Sequence, residues 1–266
     1  MKKTNSIGIF DSGIGGLTVG HQIAKLMPNE HIIYFGDTKH LPYGDKSADA
    51  IKSYSKKITE FLIEQQCKMV VIACNTASAL AFKEVLECCK GLAIVLNVID
   101  PVAEHTSKSK AKKIGVIGTK NTIASNAYSA KLGELNKNVT IASLPTPLLV
   151  PMIEEGFYND KISTSIISNY LENKVLENID HLILGCTHYP LIEDEINKYY
   201  ENKVVIVNSA KIVSQFVKKR LQENKLLASV PSKNSHLFFV SDYTKSFEQS
   251  AQYFFGQRIS FTEVVL

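Results

Sequence analysis

The chain has 266 residues, 45% of them apolar and 21% charged, with a formal net charge of +4 at pH 7. That length allows one large domain or two modest ones, each with a core of its own. The positive balance comes from scattered lysines and short runs such as Lys108, Lys110, Lys112 and Lys113, or Lys218, Lys219 and Arg220, not from the dense aromatic-laced stripe that nucleic acid selects, so no nucleic-acid partner is expected.

The first residues, "MKKTNSIGIFDSG", lack the apolar stretch and cleavage site of a secretory leader. No run approaches the roughly 18 to 20 apolar residues of a membrane span, and a cytoplasmic location is expected. "IGIFDS", from Ile7, reads as a buried strand closing on Asp11 and Ser12. Gly13, Gly15 and Gly16 then lead into a helical pattern from Leu17 to Met27. Such a turn could offer N–H groups to an anion, but a tight strand-to-helix turn explains the glycines equally well, and they do not form GxGxxG. "HIIYFGD", from His31, ends on Asp37, and Pro42, Tyr43 and Gly44 mark a turn. A helix follows over Ala48 to Gln65, with Ile51, Tyr54, Ile58, Phe61 and Leu62 on one face.

"VVIACNT", from Val70, is an apolar strand that stops on Cys74, Asn75 and Thr76, with a helix expected from Ala77 to Cys88. "AIVLNVID", from Ala93, completes a first series of four strands. A second series comprises "IGVIGT" from Ile114, "VTIASLP" from Val139, "HLILGCTHYP" from His181 and "VVIVNSA" from Val204, starting 107, 108, 111 and 111 residues after their counterparts. Short Val- and Ile-rich runs alternating with helical patterns are the mark of parallel βα units. A period this long predicts two similar α/β domains related by a pseudo-twofold axis, with a ligand cleft between them. "NSAKIVSQFVKKRLQENKLL" reads as a further helix and "HLFFVSD" as a further strand that packs back on the first domain. The expected first domain is therefore discontinuous, residues 1–97 with 212–266, and the second is residues 98–211.

Ligands in open parallel sheets bind beyond the carboxyl ends of the strands. Cys74 and Cys186 occupy that place on the third strand of each repeat, so in a symmetric arrangement they face each other across the cleft. Five cysteines, an odd number in a chain without a leader, point to reduced thiols. Cys67, Cys88 and Cys89, among apolar neighbours, fit ordinary packing. Neither CxxC nor HExxH occurs, so no metal site is expected. Two opposed thiols suit the inversion of a stereocentre, one removing a proton from one face of a carbon while the other delivers a proton to the opposite face. A dicarboxylate-binding protein with packed cysteines and a thiol redox protein are the competing readings.

At these residues the sequence resembles the cofactor-independent aspartate/glutamate racemase family. "FDSGIGGLT", "YFGDTKHLPYG", "ACNTAS" and "LGCTHYP" carry the resemblance, with "IGVIGT" and "PMIEEG" between them. "CTHYP" is similar to the members acting on glutamate. The resemblance implies interconversion of L- and D-glutamate without cofactor or metal, supply of D-glutamate for peptidoglycan, and a homodimer. It also implies Cys74 and Cys186 as acid/base thiols, Cys74 handling the D-enantiomer's proton and Cys186 the L-enantiomer's, with Asp11 and His188 assisting and Asp37 and Glu154 as further ionisable groups. Ser12, Pro42, Tyr43, Gly44, Asn75, Thr76, Thr119 and Thr187, with Asp11 and His188, would bind substrate. Only six residues precede the first strand, so the N-terminal extension that some relatives use for activation by a cell-wall precursor is not expected.

Overall fold

A computed structural model describes residues 1–266, the side chain of Ser246 excepted. Ten strands form two sheets: β1 (Ile7–Asp11), β2 (Ile32–Gly36), β3 (Met69–Ile72), β4 (Ile94–Asn97), β5 (Lys113–Gly118), β6 (Thr140–Pro145), β7 (His181–Gly185), β8 (Val205–Val207), β9 (Leu237–Val240) and β10 (Thr262–Glu263). The first sheet runs β10-β9-β2-β1-β3-β4 and the second β6-β5-β7-β8. Every strand pair is parallel. The segment β2-β1-β3-β4 thus has the same order as β6-β5-β7-β8, and the repeat read from strand spacing reappears as a repeat in topology.

β1, β2 and β3 are buried along their whole length, as expected of parallel strands covered by helices on both faces. Side chains alternate between two cores. Ile7, Ile9, Met69 and Val71 join a core that continues through Ile114, Val116, Leu182 and Leu184 of the second sheet. Phe10, Phe35, Val70 and Ile72 face the other way, onto Ile51, Ile58 and Leu62 of the helix Ala48–Glu64. The shared core holds the two halves together.

The region expected as one helix from Ala77 to Cys88 is two, Asn75–Leu80 and Phe82–Cys88, broken at Ala81. The first starts two residues earlier than its apolar pattern because the Cys74 sulfur caps it, accepting from the Ala77 N–H at 3.4 Å. The helix Ser209–Glu223 runs unbroken through the expected boundary at 211/212 and packs on both Leu17–Leu26 and Ile99–Ser107. From there the chain returns to the first sheet: β9 pairs with β2, Ile33 beside Leu237, and β10 pairs with β9. The return is pinned at Lys68, whose ammonium is fully buried against Glu30 at 2.6 Å and donates to the carbonyls of Lys3 and Leu226. Glu30 in turn accepts the Ala228 N–H at 2.8 Å. Among the described residues no helix is long and apolar enough to cross a membrane.

Candidate active site

In each sheet the connections diverge from the first strand of the repeat, β1 or β5, toward opposite edges. A crevice therefore opens beyond the carboxyl ends of β1 and β3, and another beyond β5 and β7. The two crevices face each other and enclose one cavity of about 230 Å³. This is below the roughly 300–1,000 Å³ of pockets for drug-sized ligands, so its occupant is small.

The first half contributes Ser12 after β1, Pro42, Tyr43 and Gly44 from the turn after β2, and Cys74, Asn75 and Thr76 after β3. The second half contributes Thr119 after β5, Glu154, and Cys186, Thr187 and His188 after β7. Twelve of the fourteen residues singled out from sequence therefore line the cavity. The other two, Asp11 and Asp37, stand behind the lining. Asp11 is fully buried and accepts the Gly13 N–H at 3.1 Å; burial raises its carboxyl above the usual range, opposed by the charge of His188 and by backbone N–H groups. Asp37 is not among the residues that line the cavity. It accepts from Tyr43 Oη at 2.6 Å and Ser241 Oγ at 2.7 Å and pairs with His40 Nδ1 at 2.8 Å, so its reach to the cleft runs through the Tyr43 hydroxyl. The glycines serve close approach and not an open anion cradle. A Cβ on Gly15 would lie 2.3 Å from Thr187 Oγ1 and 2.4 Å from His188 Nδ1, and one on Gly16 2.5 Å from Asp11 Cβ.

The two sulfurs have different company. Cys74 Sγ, 5% exposed, faces Ser12 Oγ at 3.8 Å. Burial first, then the charge of Asp11, pushes this thiol up to about 12. Cys186 Sγ, 6% exposed, lies 3.7 Å from His188 Nδ1, whose Nε2 meets Glu154 Oε1 at 2.9 Å. Burial works against a charged imidazole here, but the partners Cys186 and Glu154 outweigh it and hold His188 up at about 10. Around the thiols lie neutral donors. Asn75 accepts from Tyr128 Oη at 2.7 Å while its buried Nδ2 has no partner among the described residues. Thr76, Thr119 and Thr122 form a hydroxyl triangle across the two halves, with edges of 2.9, 2.9 and 3.2 Å.

The cavity also takes residues that the sequence reading missed: Leu41, Asp45, Lys120, Thr146, Pro147, Val150 and Pro151. Lys120 lies two residues past the end of β5 and Thr146 directly follows β6, so the rule that found the cysteines applied equally to them. Val150 and Pro151 belong to a helix, Leu149–Glu154, that periodicity alone did not mark.

This fold and this pair of walls define an α/β protein of the Asp/Glu/hydantoin racemase type. The family model of that description matches residues 18–217, and the chain belongs to the family. Among individual proteins, it is 38% identical to glutamate racemase of Geobacter metallireducens over 96% of this chain and 94% of that one. The glutamate racemase of Francisella tularensis, solved in complex with D-glutamate, superposes with a TM-score of 0.93 at 38% identity, covering 99% of this chain and 98% of that one. A Bacillus anthracis glutamate racemase gives the same TM-score at 37% identity with the same coverage.

Proposed function

We propose that the protein interconverts L- and D-glutamate by proton transfer at Cα between Cys74 and Cys186, without a cofactor. The observation that carries this reading is the placement of two buried thiols at equivalent strand ends on opposite walls of one small cavity. One sulfur, as thiolate, takes the Cα proton. The electron pair left on carbon is delocalised into the adjacent carboxylate, and the opposite S–H then protonates the other face. The net change is inversion with one proton received and one given.

The walls are unequal, which supports different starting roles for the two sulfurs. Cys74, pushed up to about 12, rests as the thiol and is the acid. Cys186 is then the base for L-glutamate, with the His188 imidazolium, oriented by Glu154, within reach of its sulfur. The reverse reaction exchanges the roles, with the buried Asp11 exerting its charge on Cys74. Ser12, Tyr43, Gly44, Asn75, Thr76, Thr119 and Thr187 are the substrate-binding set, neutral donors able to hold two carboxylates. Asp37 acts through Tyr43. An amino-acid Cα–H is far less acidic than a thiol, so the dry, preorganised cavity supplies much of the stabilisation. Glutamate rather than another acidic amino acid is favoured by the curated relatives of that name. Supply of D-glutamate to peptidoglycan belongs to the same proposal, as do a homodimer, a cytoplasmic location and domains divided at 97/98 and near the helix Ser209–Glu223.

Incubation with L-glutamate in deuterated water, with chelator and no added cofactor, tests the reading. Loss of optical rotation together with deuterium at Cα is expected. A folded, reduced protein that gives neither on glutamate would overturn it.

A further inference from the structure

The turn that brings Tyr43 and Gly44 to the cavity belongs to the first half, yet much of its anchoring comes from the second. Asn121, in the helix Lys120–Ala124, donates from Nδ2 to two carbonyls of that turn, Tyr43 at 2.9 Å and Lys46 at 2.7 Å. Both acceptors are carbonyls, so the amide must present its NH₂ group, and both of its hydrogens are committed across the cleft. The neighbouring side chain repeats the gesture at the mouth: Lys120 Nζ pairs with Asp45 Oδ1 at 3.1 Å, both groups more than half exposed. Gly44 itself sits against Thr119, where a Cβ would come within 3.0 Å. Within its own half the Tyr43 side chain is held by Asp37, but the backbone carbonyls at both ends of the turn point to Asn121.

We infer that Asn121 is a positioning residue of the substrate pocket, setting the 43–46 turn so that Tyr43 and Gly44 meet the substrate. It touches neither thiol. The exposed Lys120–Asp45 pair contributes little by itself, as solvent-exposed ion pairs do, whereas the half-buried amide fixes two backbone groups at once. Because these bonds join the two halves, they form when the cleft is shut and break if it opens for release. This rests on the racemase reading, and a part of its test is independent of that reading.

The test compares wild type with Asn121→Ala and with Asn121→Asp, which keeps the shape and removes both donors. Steady-state racemisation of glutamate is read as KM against kcat, and the alkylation rates of Cys74 and Cys186 by iodoacetamide are read without substrate. Loss of two hydrogen bonds predicts a KM higher by about tenfold with kcat changed much less, and faster alkylation of the cleft thiols. Wild-type KM and wild-type alkylation in either folded variant overturn the inference. If wild type itself fails to racemise glutamate, the functional reading falls, while the alkylation comparison still decides whether Asn121 holds the turn. If Asn121→Ala does not fold, Asn121→Asp decides alone.

Discussion

Cys74 and Cys186 are almost equally buried, so their difference lies in their neighbours: the Ser12 hydroxyl and the charge of Asp11 on one side, an imidazole–carboxylate pair on the other. On the proposed two-thiol route, replacing either sulfur with oxygen removes one of the two proton carriers. Cys74→Ser and Cys186→Ser are each expected to lower racemisation by at least about 10²- to 10⁴-fold, the range for loss of general acid–base catalysis. Deuterium wash-in from each enantiomer followed by NMR checks this, and full activity in either variant would exclude the two-thiol route. His188 gives a pH prediction. Its folded value of about 10 stands above the ordinary 6.5, so the folded state holds the proton more tightly. Its contribution to stability is complete below about pH 6.5 and disappears as the pH rises through about 10. Urea midpoints between pH 7 and 10 are expected to fall more steeply for wild type than for His188→Asn. Glu154→Gln, which removes one support of the imidazolium, should move that decline to lower pH.

Among the elements, the turn after β1 shows what a glycine run is for. Gly15 lets the first half approach Thr187 and His188 more closely than any Cβ allows. Gly15→Ala is therefore expected to destabilise by about 1–3 kcal/mol, the usual cost of overpacking, and to depress activity by displacing His188. A shifted urea midpoint together with a lower rate checks both parts. Strand ends were the legible feature of this chain: an apolar run stopping on Cys-Asn-Thr or Cys-Thr-His carries its position in the sequence itself, and Cys74 and Cys186 reached the cavity on that basis, while most of the other ten lining candidates rested on the family resemblance. The setting of Asp37 was not legible, because its carboxylate accepts from Ser241, 204 residues away in sequence, as well as from Tyr43. The break at Ala81 and the earlier start at Asn75 were hidden too, since a sulfur capping its own helix leaves no periodic trace. Asn121 escaped for a related reason: its meaning lies in two carbonyls more than seventy residues away.

At the scale of the whole molecule, the cavity exists only while two halves stand together, and bonds at its mouth cross between them. Glutamate should tighten that arrangement. Hydrogen exchange in the 42–46 turn and the Lys120–Ala124 helix is expected to slow when the amino acid is added, and an unchanged exchange pattern would count against closure on the substrate. The Lys68–Glu30 pair acts at the same scale, tying Lys3, Leu226 and Ala228 to the foot of the first sheet. Lys68→Met leaves Glu30 buried without its partner and should cost about 3–5 kcal/mol. Lys68→Met combined with Glu30→Leu should recover part of that loss in the same urea titration.

The return of β9 to the edge of β2 also sets an order of assembly during synthesis. A ribosome releases β5 to β8 together, and that sheet is complete once residue 207 has emerged. The first sheet, although begun earlier, keeps β2 as an open edge until residues 237–240 arrive. An apolar edge of this kind is a template for pairing with other chains. The nascent protein is therefore most exposed to misassembly in its oldest part, and the last-made segment closes it.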